Sequence, residues 1–384
     1  MGGLAVIGSG PAGVAAATTY RDRGGDGSVL LVSADGDAPY ERPPLSKDVL
    51  AGDSPAEPTP ITPDDPELSG IEVRLDTTVA GLDLDGRRLR LTGGEDVGFD
   101  RLVIATGARP APPPGAGGAR VLRSLADARA LVSAAESARS AIVLGSGFIG
   151  CEAAASLASR GIEVTMITRS AAPQRDRLGE FASHRLLQWL SDLGVTVRTG
   201  ASVAGVAEDG TVTMEGDEHV RADLVLSAFG IHGSVDWSAD DWPGSLQAQD
   251  GRLLVDDHFR TGVDGVWAAG DAALAEHAVA GRRIATEHWD DAMTQGTIAG
   301  ENAAGGDRAW REVPSFWSDI GEHPLQYAGW GGGFDSETVR EDDEGFTVWY
   351  GKGGRLVAAL TSNHYDDDDR AKELITAGDP VPEA

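Results

Sequence analysis

The chain has 384 residues with 41% hydrophobic, 6% aromatic and 24% charged side chains, ordinary globular usage that excludes a stapled miniature, a collagen-like fibre and wholesale disorder. A formal net charge of −29 works against nucleic acid and anionic membrane surfaces as partners. One cysteine, Cys151, forbids an internal disulfide and a dithiol redox cycle, and fits a reducing, cytoplasmic setting.

Residues 4–7 form an apolar run that ends in Gly8-Ser9-Gly10-Pro11-Ala12-Gly13, followed by a helix-like 14–20 and a second apolar run at 29–32. Strand, glycine loop, helix and strand make a βαβ unit. The first glycine of such a loop permits a tight turn, the second lets backbone approach a pyrophosphate, and the third allows close helix packing. The helix N-terminus attracts the phosphates. A carboxylate about 20 residues on takes the ribose hydroxyls; Asp35 is the candidate, with Asp37 near enough to compete. Residues 39–66 are rich in proline, and 110–118 read as a connector into a new domain.

The same grammar recurs at 141–144, then Gly145-Ser146-Gly147-Phe148-Ile149-Gly150, an alanine-rich helix to 160 and a strand at 163–167. This strand runs into Thr168-Arg169-Ser170, with no carboxylate for ribose recognition. Arg169, aided by Thr168 and Ser170, suits a 2′-phosphate, which favours NADPH over NADH. An apolar strand at 224–230 ends in Gly230, and the Ser/Asp/Trp loop that runs on to 243 reads as the return to the first domain. Beyond 305–306, short alternating segments at 347–350 and 356–360 suggest a small β-containing domain. The fold class is therefore α/β, with two Rossmann-like dinucleotide-binding domains plus a small α+β C-terminal domain. The expected bounds are 1–112 and 233–308 for the first dinucleotide-binding domain, 113–232 for the second and 309–384 for the last domain. The acidic runs at 341–344 and 366–369 read as solvated loops. The histidines at 184, 219, 258, 277, 323 and 364 lack metal-ligand spacing, so no metal site is assigned. Neither a signal peptide nor a spanning segment is apparent.

Together with Ala105-Thr106-Gly107 after a strand and Trp267-Ala268-Ala269-Gly270-Asp271, the two loops give a chain-wide resemblance to the FAD-dependent pyridine nucleotide-disulfide oxidoreductase superfamily. Pro39-Tyr40-Glu41-Arg42-Pro43-Pro44-Leu45-Ser46-Lys47, Glu287-His288-Trp289 and Pro314-Ser315-Phe316-Trp317-Ser318-Asp319 look like its ferredoxin (rubredoxin) reductase branch, which includes apoptosis-inducing factor. The resemblance implies that Gly8, Gly10, Pro11, Ala12, Gly13 and Asp35 bind the ADP half of FAD, with Val79 near the adenine and Arg123 near the pyrophosphate. It implies that Arg42 and Lys47 reach pyrophosphate and flavin, that Gly270-Asp271 holds the ribityl chain, and that Ala105, Thr106 and Gly107 belong to the same site. Glu287, His288, Trp289 and Trp317 would lie around the isoalloxazine. Gly145, Gly147, Phe148, Ile149, Gly150, Thr168, Arg169 and Gly230 would hold the nicotinamide dinucleotide, and Glu152 would pair with Lys47 at the hydride-transfer face.

Two departures stand out. The acidic residue usual at the position of Thr168 in NAD-selecting members is absent, and Ile231-His232-Gly233-Ser234 lacks the proline and asparagine common there. The segment 43–47 has no cysteine, unlike the disulfide, peroxide or coenzyme A reductases of the wider superfamily.

The implied reaction is hydride transfer from NADPH or NADH to N5 of FAD, then electron delivery to a [2Fe-2S] ferredoxin or similar small carrier. Lys47 would stabilise negative charge on the flavin, and Glu152 would orient that lysine. The alternatives are a flavin enzyme acting directly on an organic substrate or oxygen, and a redox sensor like apoptosis-inducing factor. A net charge of −29 would repel an acidic ferredoxin unless Arg87, Arg88, Arg90, Arg308 and Arg311 gather into a basic patch. A monomer or a homodimer is expected.

Overall fold

The computed structural model describes residues 2–65, 68–113, 115, 117–235, 246 and 248–383, so most of the loop expected to return at 231–243 lies outside the described residues. The chain forms two compact units, one from Met1–Glu41, Pro58–Arg109 and His232–Pro314, the other from Arg42–Glu57, Pro110–Ile231 and Ser315–Ala384.

In the first unit a five-stranded parallel sheet runs in the order Val266–Ala268, Arg101–Ile104, Gly3–Ile7, Ser28–Val32, Glu72–Arg74. Its central strand is buried along its whole length, hence the unbroken apolar reading of its sequence. Helix Pro11–Asp22 starts with proline, whose fixed φ and missing N–H suit a first helical turn. It lies unusually close to helix Trp289–Ala303. A Cβ on Gly296 would come within 2.2 Å of the Ala12 carbonyl oxygen, and one on Gly300 within 2.3 Å of that of Ala16.

The second unit repeats the pattern. Leu224–Ser227, Ser140–Leu144, Glu163–Ile167 and Thr196–Arg198 form a parallel sheet in that order. Strand for strand this is the arrangement of Arg101–Ile104, Gly3–Ile7, Ser28–Val32 and Glu72–Arg74. Helix Leu125–Ala135 begins with a capping box of Ser124 and Asp127. A five-stranded antiparallel sheet follows, ordered Ser315–Ile320, His323–Gly329, Arg355–Ser362, Phe346–Lys352, Ser336–Glu341, with helix Tyr365–Ala377 packed on it. One hydrophobic core joins Leu50, Val143, Leu157 and Leu186 to Phe316, Val348 and Leu360. That shared burial holds segment Arg42–Glu57, the nucleotide-type sheet and the C-terminal sheet in one body. Among the described residues no helix is long and apolar enough to cross a membrane.

Candidate active site

The first glycine loop has the form its sequence demands. Gly8 sits at φ +108 with its N–H on the Val32 carbonyl (2.8 Å), and a Cβ there would meet the Ala105 carbonyl oxygen at 2.2 Å. Gly13 is equally constrained, since its Cβ would fall 1.8 Å from the Gly8 carbonyl oxygen. Gly10 differs: it is extended, and a Cβ would find nothing within 4 Å. Two glycines thus close the turn, while the middle one opens a backbone concavity at a helix N-terminus. A pyrophosphate fits such a concavity. The Thr106 hydroxyl is buried without a hydrogen-bond partner among the described residues, and the peptide at Thr106 borders Gly8. Asp35 accepts from the Tyr40 hydroxyl (2.8 Å) and the Asp37 N–H (3.1 Å), so Asp35 is the oriented carboxylate and Asp37 helps orient it. Gly270, at φ +71, packs so closely on Ala12 that a Cβ there would meet the Ala12 Cβ at 2.9 Å; its N–H donates to Gln295 Oε1 (2.9 Å), and the next residue, Asp271, is buried. Val79 is buried at the start of Val79–Asp83. Glu287 pairs with Arg252 at 2.5 Å just before His288 and Trp289 open their helix.

The second loop copies the first bond for bond. Gly145, at φ +102, donates to the Ile167 carbonyl (2.9 Å), and a Cβ there would meet the Ala228 carbonyl oxygen at 2.4 Å. Gly150 is closed by the Gly145 carbonyl oxygen at 2.4 Å, and Gly147 again faces open space. Ala228-Phe229-Gly230 therefore stands where Ala105-Thr106-Gly107 stands in the first unit. Beside the loop, Ile149 and Phe229 are exposed. The hydroxyl contact Ser9–Ser33 (2.6 Å) is matched by Ser146–Thr168 (2.9 Å). The Asp35 N–H bond to Ser33 Oγ (3.1 Å) is matched by the Ser170 N–H bond to Thr168 Oγ1 (3.3 Å). Thr168 is thus a buried counterpart of Ser33, and Ser170 is the counterpart of Asp35. Arg169 lies between them with its side chain exposed. Phe229 carries no signal in the sequence, whereas Ser170 is marked there as an aid to Arg169; the register of the two hydrogen-bond sets adds that Ser170 stands at the position of Asp35.

The second unit also holds a compact charged cluster. Helix Phe148–Ser159 begins at this loop and carries Glu152, which is only 4% exposed. Lys47 Nζ lies 3.2 Å from Glu152 Oε1 and 3.8 Å from Asp319 Oδ2. The Ser46 hydroxyl donates to Glu152 Oε2 (2.5 Å) and the Ser318 hydroxyl to Oε1 (2.6 Å). Ser156 Oγ holds the Ser46 carbonyl at 2.8 Å, fixing the turn that carries Lys47. Arg42 caps the short helix Pro43–Ser46 in the same turn. Trp317 stands between Phe316 and Ser318 on Ser315–Ile320. The backbone N–H of Arg123 donates to Asp127 Oδ2 at 3.1 Å. Cys151 is fully buried beside Glu152, and desolvation together with that carboxylate pushes its thiol up to about 12. Of the arginines that might form a basic patch, Arg87 pairs with Asp264, Arg90 with Asp96, and Arg308 with Glu301 and Glu312.

Residues 3–296 match the family model of the pyridine nucleotide-disulphide oxidoreductases, and 315–384 match that of the reductase C-terminal domain. A rhodocoxin reductase of Rhodococcus erythropolis is 30% identical, with 98% of this chain and 90% of that protein aligned. The ferredoxin–NAD(+) reductase component of an anthranilate 1,2-dioxygenase system from Burkholderia cepacia is 33% identical over 97% of this chain and 94% of that one. The crystal structure of a covalent putidaredoxin reductase–putidaredoxin complex superposes with a TM-score of 0.91 at 29% identity, covering 98% of this chain and 94% of that one. The paired glycine loops and the sheet that completes the second unit are thus those of a known lineage: this chain belongs to the pyridine nucleotide-disulphide oxidoreductases, enzymes that use FAD and NAD(P)H, in the branch that carries the reductase C-terminal domain.

Proposed function

We propose that the protein is an FAD-dependent NAD(P)H reductase that passes electrons to a [2Fe-2S] ferredoxin or a similar small carrier in the cytoplasm. The observation that carries this reading is the pair of glycine loops, each closed at its first and third glycine and open at its second. Two such cradles in one chain suit two dinucleotides, FAD on residues 1–112 and 233–308 and the nicotinamide cofactor on 113–232, with 309–384 completing the enzyme.

FAD, when bound, takes two electrons from a nicotinamide and returns them singly to a one-electron carrier. The chain's own residues bind and orient. The N–H groups of Ala12 and Gly13, and those after Gly147, receive the pyrophosphates, and Asp35, steadied by Tyr40, takes the ribose hydroxyls of FAD. Thr106 and Asp271 supply polar contacts on the same unit. Lys47 provides positive charge at the reacting face, and Glu152 fixes where that charge sits. Ser170 offers no charge to oppose a 2′-phosphate and Arg169 offers one to hold it, which supports NADPH as the preferred donor.

The experiment is anaerobic mixing of the yellow protein with NADPH or NADH, followed by a [2Fe-2S] ferredoxin and then oxygen, with the flavin band monitored. Fast bleaching by NADPH and rapid recovery with ferredoxin are the expected results. Absence of bound flavin would sink the reading. Recovery with oxygen as fast as with ferredoxin would favour an oxidase, and a long-lived bleached complex would favour a redox sensor.

A further inference from the structure

Lys47 has two carboxylate neighbours of different character. Glu152 is buried at 4% exposure, whereas Asp319, at 40%, faces solvent. A buried carboxylate with no other donors would take the ammonium for itself, because an unpaired charge there is costly. Here each oxygen of Glu152 already accepts a serine hydroxyl, Oε2 from Ser46 and Oε1 from Ser318. Oε1 therefore serves Ser318 and Lys47 together. The two serines immediately precede the two residues that bear the outer charges, so Ser46-Lys47 and Ser318-Asp319 form a paired clamp around Glu152. With Glu152 satisfied in this way, Lys47 Nζ is left within ion-pair distance of Asp319 as well.

We propose that Asp319 is a positioning residue for Lys47: it shares the lysine with Glu152, and Ser318 enforces the sharing by occupying Glu152 Oε1. The arrangement sets how much of the Lys47 charge is left uncompensated at the reacting face. It deepens the functional reading above and rests on Lys47 lying beside the flavin.

The test measures the flavin midpoint potential in the holoenzyme. A carboxylate near a site that gains negative charge on reduction lowers the potential, so Asp319→Asn is expected to raise it and Asp319→Glu to restore it. The expected rise corresponds to about a tenfold change in the two-electron equilibrium, roughly 30 mV, larger at low salt because Asp319 is partly exposed. Lys47→Met shifts the potential the other way and serves as the reference. In a Ser318→Ala background, Glu152 holds Lys47 alone and the Asp319→Asn shift falls to less than half, a coupling that independent sites do not show. If Lys47→Met lowers the potential and Asp319→Asn leaves it in place, the inference fails while the functional reading stands. If the two changes at 318 and 319 are additive, the role of Ser318 is overturned. If Lys47→Met has no effect on the potential, Lys47 is not at the flavin and the placement and the inference fall together.

Discussion

The hydroxyls of Ser146 and Thr168 lie 2.9 Å apart, in the relation that Ser9 and Ser33 hold in the first unit. That contact sets the register of the second nucleotide loop and places Ser170, two residues on, at the position that Asp35 holds in the first unit. The nucleotide preference should then follow charge at 169 and 170. Arg169→Ala is expected to lower kcat/KM for NADPH by about tenfold to a hundredfold, the loss of one charge-assisted contact of roughly 1.5–3 kcal/mol, and to leave NADH nearly unaffected. Ser170→Asp should penalise NADPH further and improve NADH. Steady-state kinetics with both donors decide the matter, and an equal loss for both would remove Arg169 from phosphate recognition.

The three glycines of each loop are predicted to respond differently to a single methyl group. Gly10 and Gly147 have extended backbone that alanine adopts without strain, and their Cβ positions are open. Gly10→Ala should therefore leave thermal stability of the flavin-free protein unchanged or raise it by about 0.4–1 kcal/mol, while flavin content drops because the methyl occupies the pyrophosphate cradle. Gly147→Ala should raise KM for the nicotinamide cofactor by about tenfold with flavin still bound. Gly13→Ala and Gly150→Ala, which would drive Cβ to 1.8 Å and 2.4 Å from backbone oxygens, should destabilise the fold by roughly 1–3 kcal/mol or more. Calorimetry alongside flavin absorbance separates the two classes.

His277 makes stability depend on pH with a definite sign. The ring is buried, stacks edge-on against Trp310, accepts the Val279 and Ala280 N–H groups at Nδ1, and faces the Glu312 carbonyl at 2.9 Å through Nε2. It is therefore held neutral, with the proton on Nε2, and desolvation pushes its pKa below the usual 6.5. A group with a depressed folded pKa contributes fully above its unfolded pKa and loses that contribution as pH falls toward the folded value. Denaturant midpoints should thus decline as pH drops from about 7 to 5. His277→Gln should be less stable at pH 8 but decline less steeply across that window; a parallel decline would exclude His277 as the source.

Much of this architecture is legible in the sequence because its signals are local. The runs at 4–7 and 141–144, the glycines that follow them and the alanine-rich helices each lie within one βαβ unit, where periodicity and glycine spacing suffice. Resemblance, not spacing, was needed to pair Lys47 with Glu152. The serine clamp is less visible still: Ser46 and Ser318 reach Glu152 across 106 and 166 residues of chain, and serine carries no sequence signature for such a role. Thr168 illustrates the other limit. Strand Glu163–Ile167 ends one residue before it, and whether the specificity position is the first or third residue past a strand depends on hydrogen bonds that only folding supplies.

Cys151 lies beside the charged cluster yet should take no part in turnover. Its thiol is fully buried in an alanine-rich stretch of helix, contacts the Ser146 carbonyl at 3.6 Å and is pushed up to about 12. A thiolate is the nucleophilic form, and at neutral pH this site supplies almost none. The native protein is expected to resist Ellman's reagent for hours and to release one equivalent of thionitrobenzoate only in guanidinium, since the sequence has one cysteine. Cys151→Ala removes one sulfur from a packed helix and should cost no more than about 1–2 kcal/mol, with NADPH-driven flavin bleaching within twofold of wild type. Rapid labelling of the native enzyme, or loss of bleaching in the alanine variant with flavin retained, would bring the thiol back into the chemistry and require a covalent flavin or substrate adduct that the hydride-relay reading does without.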